Sequence, residues 1–169
     1  MKTNTEYKKL CDEVRSKIPL ETYKQLMNQY YCELEYDFLG FLEVYDKIRK
    51  LSEAKNKKII DLGCYMALQA VLFDQEYIGV DCFNDVKRYE SDKTTHYYIT
   101  IQKFIKTIAS TLDLTQCFAI CSYVPDLDAT MLAYETFPNI YMYYPRTYDK
   151  LKINGKELKN EKLNKRNDL

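Results

Sequence analysis

Two aspartates, Asp61 and Asp81, stand twenty residues apart, each in the last turns of a short apolar run. The first run is Lys58-Ile59-Ile60-Asp61-Leu62, ending at Gly63, and the second is Tyr77-Ile78-Gly79-Val80-Asp81. Runs of this length, bounded by turn residues, predict strands buried on both faces. A parallel sheet binds ligands beyond the carboxyl ends of its strands, where the strand order reverses. The turn Asp61-Leu62-Gly63-Cys64-Tyr65-Met66-Ala67 forms the first such end. An acidic residue closing the second strand can accept hydrogen bonds from both ribose hydroxyls of a nucleoside.

Other chemistries fit less well. The six cysteines are Cys11, Cys32, Cys64, Cys82, Cys117 and Cys121, and no pair has the two-residue gap of a zinc knuckle. Cys117 and Cys121 fall on one face of a single strand about 13 Å apart, too far for a disulfide or a shared metal. They read as buried reduced thiols. A single histidine excludes multi-histidine metal sites. His96 with Ser91 and Asp92 makes no hydrolytic triad, because no nucleophile elbow accompanies them. Tyr141, Tyr143, Tyr144 and Tyr148 read as strand residues packed against helices rather than as a base-stacking platform.

The elements that must position the aspartates follow from periodicity. Residues 5–51 carry helical stripes: Tyr7, Leu10, Cys11, Val14 and Ile18, then Tyr23, Leu26, Met27, Tyr30 and Leu34, then Phe38, Leu42, Tyr45, Ile48 and Leu51. Thr3 and Glu6 have capping-box spacing, and Pro19 ends the first stripe. From Lys57 strands alternate with helices. Strands are expected at 58–62, 77–81, 96–100, 117–121 and 139–144, and helices at 67–73, 102–112 and 127–137. This alternation predicts a parallel α/β sheet wound on both faces, in order 3-2-1-4-5, with an N-terminal helical extension over or beside its carboxyl end.

At these residues the chain resembles the Rossmann-like S-adenosylmethionine-dependent methyltransferases. The resemblance rests on Ile59-Ile60-Asp61-Leu62-Gly63-Cys64, the strand ending in Asp81, and the five-strand rhythm through Tyr144, about residues 58 to 145. It implies S-adenosylmethionine as cofactor, held by Asp61, Leu62, Gly63, Cys64, Tyr65, Asp81, Cys82 and Gln102. Ile101 and Gln102 match the adenine contact, and Tyr30 and Tyr31 would cover the cofactor mouth. The family's loop runs acid-x-Gly-x-Gly-x-Gly. Here Asp61 matches the acid and Gly63 the first glycine, Tyr65 stands at the second, and Ala67 at the third. The second glycine lets backbone approach the cofactor and adopts positive φ. Tyr65 therefore implies either a remodelled pocket that it lines or a phenol filling the methionine end.

The acceptor side in this family follows strand four, here Ser122-Tyr123-Val124-Pro125-Asp126. It resembles in position the Asn/Asp-Pro-Pro-aromatic motif of amino methyltransferases, with Ser122 in place of the amide or acid and one proline instead of two. Catalytic candidates are Ser122 and Tyr123, which would orient an acceptor, and Asp126, which would take a proton. Asp126 also reads as a helix N-cap.

The 169 residues suit one domain, divided as a helical extension (1–56), a core (57–149) and a basic tail or edge strand (150–169). The formal net charge is zero, so bulk charge does not hold the chain to nucleic acid or an anionic membrane. Residues 61–149 carry 6 basic and 12 acidic side chains, and residues 150–169 carry 7 and 3. The basic tail leaves an acidic partner or nucleic acid open. No apolar run approaches a membrane span, and the polar N-terminus does not read as a secretory signal, so a cytoplasmic protein is expected. Family members complete the sheet with a sixth and seventh strand, whereas only 24 residues, strongly polar in composition, follow Pro145. The sheet is accordingly expected to stop at five strands or a short sixth, leaving an edge open to dimerisation. The alternative to an active methyltransferase is a non-catalytic relative of the same fold, a binding or inhibitory protein of the kind carried by phages and mobile elements.

Overall fold

The computed structural model describes residues 4–29 and 41–158. Three helices come first: α1 (Asn4–Lys17), α2 (Leu20–Met27) and α3 (Leu42–Arg49). Seven strands follow: β1 (Lys58–Leu62), β2 (Tyr77–Val80), β3 (Thr94–Tyr97), β4 (Cys117–Ser122), β5 (Ile140–Tyr144), β6 (Tyr148–Ile153) and β7 (Lys156–Leu158). Helix α4 (Ile101–Thr107) joins β3 to β4, and α5 (Leu127–Thr136) joins β4 to β5. The strands form one α/β sheet in the order 3-2-1-4-5-6-7. Strands β1 to β5 are parallel, and β6 and β7 are antiparallel additions.

Central strand β1 shows why the apolar runs became strands. Ile60 lies opposite Ile78 of β2 and Ala119 of β4, and Ile59 opposite Tyr77 and Phe118. All six are buried, because a parallel sheet has helices on both faces and no wet side. Alternation sorts the side chains into two layers. Ile60, Leu62, Ala119 and Cys121 pack with Phe104 of α4 and Ala133 of α5. Ile59, Phe118 and Ile120 pack with Leu10, Val14, Leu42 and Ile48 of α1 and α3.

The N-terminal helices therefore form one of the two layers covering the sheet. The reason lies in the β1–β2 crossover. The α-helix expected at 67–73 is instead a five-residue 3-10 helix, Leu68–Leu72, too short to cover that face. Helices α1 and α3 pack on it and cover the rest. Glu13 of α1 accepts two hydrogen bonds from Arg49 of α3, at 2.6 and 2.7 Å. That guanidinium pulls the Glu13 carboxyl down to about 2.

The far edge also differs from expectation. The sheet does not stop at five strands or a short sixth. Tyr144 pairs with Tyr148 across a tight turn, and Ile153 pairs with Lys156. Asn154 (φ 49°) and Gly155 (φ 76°) make the second hairpin turn with both residues left-handed. An Asn-Gly pair suits such a turn, because both residues tolerate that region. Buried Asn139 locks the hairpin to the sheet, accepting from Asn154 N–H at 2.9 Å and donating to the Cys117 carbonyl at 3.2 Å. Tyr30, Tyr31, Leu34, Phe38, Cys32, the Thr3 cap and residues 159–169 of the basic tail lie outside the described residues.

Candidate functional site

The strand order reverses between β1 and β4, and the loops leaving these two strands touch. A β-carbon built on Gly63 would come within 2.6 Å of Val124 Cγ2. Gly63 has φ 87°, and the loop keeps returning to the left-handed region: Tyr65 has φ 49° and Ala67 φ 55°. These are the three positions at which the resemblance places glycines. Tyrosine and alanine thus adopt the backbone that glycine would adopt more easily, at about 1–3 kcal/mol each.

Several contacts hold the loop. Gly63 and Cys64 N–H donate to the Val80 carbonyl at 2.8 and 3.1 Å. Tyr65 N–H donates to Asp81 Oδ2 at 3.0 Å, and its ring meets Phe83 edge-on at 6.2 Å. Ala67 is wholly buried.

Beyond these strand ends lies a cavity of about 560 Å³. Its walls come from the 63–66 loop, from Asp81, Cys82 and Phe83 after β2, and from Thr100, Ile101 and Gln102 at the start of α4. Ser122 to Asp126 after β4 close another side, and Phe41, Tyr45 and Gln69 approach from the N-terminal layer. Gly63, Cys64, Tyr65, Asp81, Cys82, Gln102, Ser122, Tyr123 and Asp126 all line it.

Asp61 and Leu62 are not among the lining residues. Leu62 is buried in the layer beneath α4 and α5. Asp61 is fully buried under the loop and accepts three hydrogen bonds. Tyr45 Oη donates to Oδ1 at 2.9 Å, and Gln69 Nε2 to Oδ2 at 2.7 Å. The Tyr77 hydroxyl also donates to Oδ2. Burial pushes the carboxyl up to about 6, against the pull of these three donors. Asp61 thus shapes the cavity at one remove, since Tyr45 and Gln69 are wall residues.

The segment after β4 divides its roles. Asp126 caps α5, with Oδ1 accepting from Ala129 N–H at 3.0 Å and Oδ2 from Gln102 Nε2 at 3.1 Å. The Ala129 N–H, then Gln102, lower its pKa, which weakens it as a proton acceptor. The helix-cap reading of Asp126 holds. Tyr123 has φ 59° and packs edge-on to Tyr143 at 5.5 Å. Burial raises its hydroxyl pKa, keeping it a donor. Ser122 is 4% exposed, and its buried Oγ has no hydrogen-bond partner among the described residues.

The charges are one-sided. Asp81 and Asp126 are the charged residues among the described lining, and none of that lining is basic. Cys64 is a buried thiol held well above its usual pKa by burial, whereas Cys82, against the expectation of buried thiols, is exposed because it follows the end of β2 on the cavity rim. Among the described residues no group of three or more His, Cys, Asp or Glu side chains could hold a metal ion. His96 is the third residue of β3 and does not line the cavity, with Nε2 2.7 Å from the Tyr89 carbonyl. Tyr141 is buried with residues of α1 and α3, as expected, whereas Tyr143, Tyr144 and Tyr148 are only half-buried.

Periodicity assigns Tyr45 only to a core stripe, and Phe41, Gln69 and Phe83 carry no motif. Their place on the wall depends on contacts between distant segments. Comparison with protein-family models and with curated proteins finds no match to this chain.

Proposed function

We propose that the cavity binds S-adenosylmethionine on a Rossmann-like core and that the chain is a methyltransferase-like protein. The observation that carries this reading is the loop after β1. Positions 63, 65 and 67 all take positive φ beside an acidic residue closing β2. The charge census supports it as well. A phosphate-bearing dinucleotide needs donors or cations for its phosphates, whereas this wall offers two carboxylates and no basic side chain among the described residues. A cationic sulfonium suits that field.

Asp81 would accept from the ribose hydroxyls, the Gly63–Met66 loop would face the methionine portion, and Gln102 and Phe83 would border the adenine. The cofactor brings an activated methyl group. The chain's part is to align an acceptor and exclude water. The cavity stands open beside Tyr65, whose ring packs on Phe83, and this favours a remodelled pocket over a filled one.

A non-catalytic binding protein is the second reading, favoured by the commitment of both Asp126 oxygens to the helix cap and Gln102. The completed seven-strand sheet removes the truncated edge as an argument for it. Calorimetric titration with S-adenosylmethionine and S-adenosylhomocysteine tests the proposal. Saturable binding of both supports it, and no heat at millimolar ligand overturns it.

A further inference from the structure

We infer that the outward face of α5, with β6 beside it, is a docking surface for a second copy of this chain, the two α5 helices lying parallel about a two-fold axis.

Helix α5 is inverted for a helix that only covers its own sheet. It buries small residues, Ala129, Thr130 and Ala133, and exposes large apolar ones, Leu127, Met131 and Leu132. An amphipathic surface helix ordinarily turns its large apolar stripe toward the core. Leu127 is 58% exposed and Met131 40%. Met131 lies one turn beyond Leu127, and half-buried Tyr134 follows one turn later, so the three share a stripe. Seven large hydrophobic side chains are exposed among the described residues, and three of them lie on this one helix. Such clustering marks an interaction surface, whereas scattered exposure would not.

Charge identifies the occupant. Tyr134 shows what flanks the stripe on one side. Its hydroxyl donates to Glu157 of β7, and the Nζ atoms of Lys150 and Lys152 of β6 stand 5.5 and 4.6 Å from its ring centre. Lys150 also lies 3.8 Å from Glu157, so this side carries two lysines and one glutamate. At about 100° per residue, Asp128 and Glu135 fall on the opposite side of the stripe, and both are exposed. The stripe thus separates a basic row from an acidic row. A two-fold axis parallel to α5 lays Leu127 and Met131 against the same residues of a second copy. It also lays each acidic row against the other copy's basic row. A two-fold axis across the helix would oppose acid to acid instead. An anionic membrane or a nucleic acid would be repelled by the acidic row. Two copies of a chain with zero net charge meet no such long-range repulsion.

Sedimentation velocity on the full chain tests this surface. A dimer fraction that grows with concentration across about 1–100 µM is expected. Met131→Glu places a carboxylate of each copy beside the axis and should weaken the dimer at least about tenfold. Charge reversal tests the pairing itself. One variant carries Asp128→Lys and Glu135→Lys, and the other Lys150→Glu and Lys152→Glu, so each alone faces like charge. Both should be monomeric where the unaltered chain is dimeric, and an equal mixture should restore a dimer containing one copy of each. A purely structural effect of the substitutions cannot produce that rescue. Thermal melts verify folding. If Lys152→Glu unfolds the chain, Lys150→Glu alone takes its place in the mixture, because it leaves Lys152 bonded to the Tyr134 carbonyl. An unaltered chain that stays monomeric throughout the range overturns the inference. So does a dimer untouched by Met131→Glu, which would place the contact elsewhere, and so does a mixture no more associated than its components.

Discussion

Tyr65 N–H donates to Asp81 Oδ2 at 3.0 Å, so the carboxylate closing β2 grips the loop leaving β1. Asp81 Oδ1 lies 3.4 Å from Phe83 N, close enough to steady the turn that carries Phe83. One side chain thereby sets the loop, the turn and the charge of the cavity.

The two roles of Asp81 are separable. Asp81→Asn keeps an oxygen for the Tyr65 amide but removes the charge, whereas Asp81→Ala removes both. Ligand affinity should fall by about 1.5–3 kcal/mol in the alanine variant, the range for hydrogen bonds to a charged group. Asp81→Asn should retain most of the stability while still losing affinity. Calorimetry beside urea denaturation measures both, and unchanged S-adenosylhomocysteine affinity in Asp81→Ala would place the ribose elsewhere.

At Tyr65 the left-handed backbone gives an ordering of variants. Glycine relieves the strain and loses the ring, while alanine loses the ring and keeps the strain. Tyr65→Ala should therefore be less stable than Tyr65→Gly by about 1 kcal/mol. Because the ring is a wall of an open cavity, Tyr65→Gly should weaken cofactor binding. Tighter binding in that variant would show instead that the phenol blocks the site.

Asp61 predicts a pH dependence. Burial raises its carboxyl to about 6 in the folded chain, from about 3.9 unfolded. The folded state then holds the proton more tightly than the unfolded state. The resulting stability is fully present below about pH 4 and is lost as pH rises through about 6, on the order of 3 kcal/mol in all. Urea midpoints across pH 4–7 should show this slope, and Asp61→Asn should flatten it. Asp61→Ala strands three buried donors and should cost at least about 3 kcal/mol.

Gly63 is constrained twice, by φ 87° and by Val124. Gly63→Ala should cost about 2 kcal/mol or more, from left-handed strain and the 2.6 Å approach to Val124 Cγ2 together. Adding Val124→Ala removes the contact but not the strain, so the double variant should recover part of the loss. Equal instability of single and double variants in thermal melts would show that the two loops are not in contact.

Residue order alone determined much of this architecture. The runs at Ile59-Ile60, Ile78 and Phe118-Ala119-Ile120 are apolar without alternation, and only a sheet covered on both faces buries such runs. Asp126 was legible as a helix cap because its partner amide, Ala129, is three residues away. The hairpin at Asn154-Gly155 was also written locally, in a pair suited to a left-handed turn. The polar composition around it obscured that signal, although Leu151, alternating with polar neighbours on β6, is buried.

Tertiary structure decided the rest. The stretch 67–73 is rich in helix formers, yet Ala67 is left-handed and only a 3-10 turn follows, because the loop must return to meet Val80 and Asp81. Asp61 reads as a ligand-binding acid from its spacing. Its three donors come from positions 45, 69 and 77, on a helix, a turn and a neighbouring strand, and together they turn it inward. Hydrophobic period and turn chemistry act over a few residues and can be read along the chain. The partner of a buried polar group is chosen across the fold, where distance in space and distance in sequence no longer correspond.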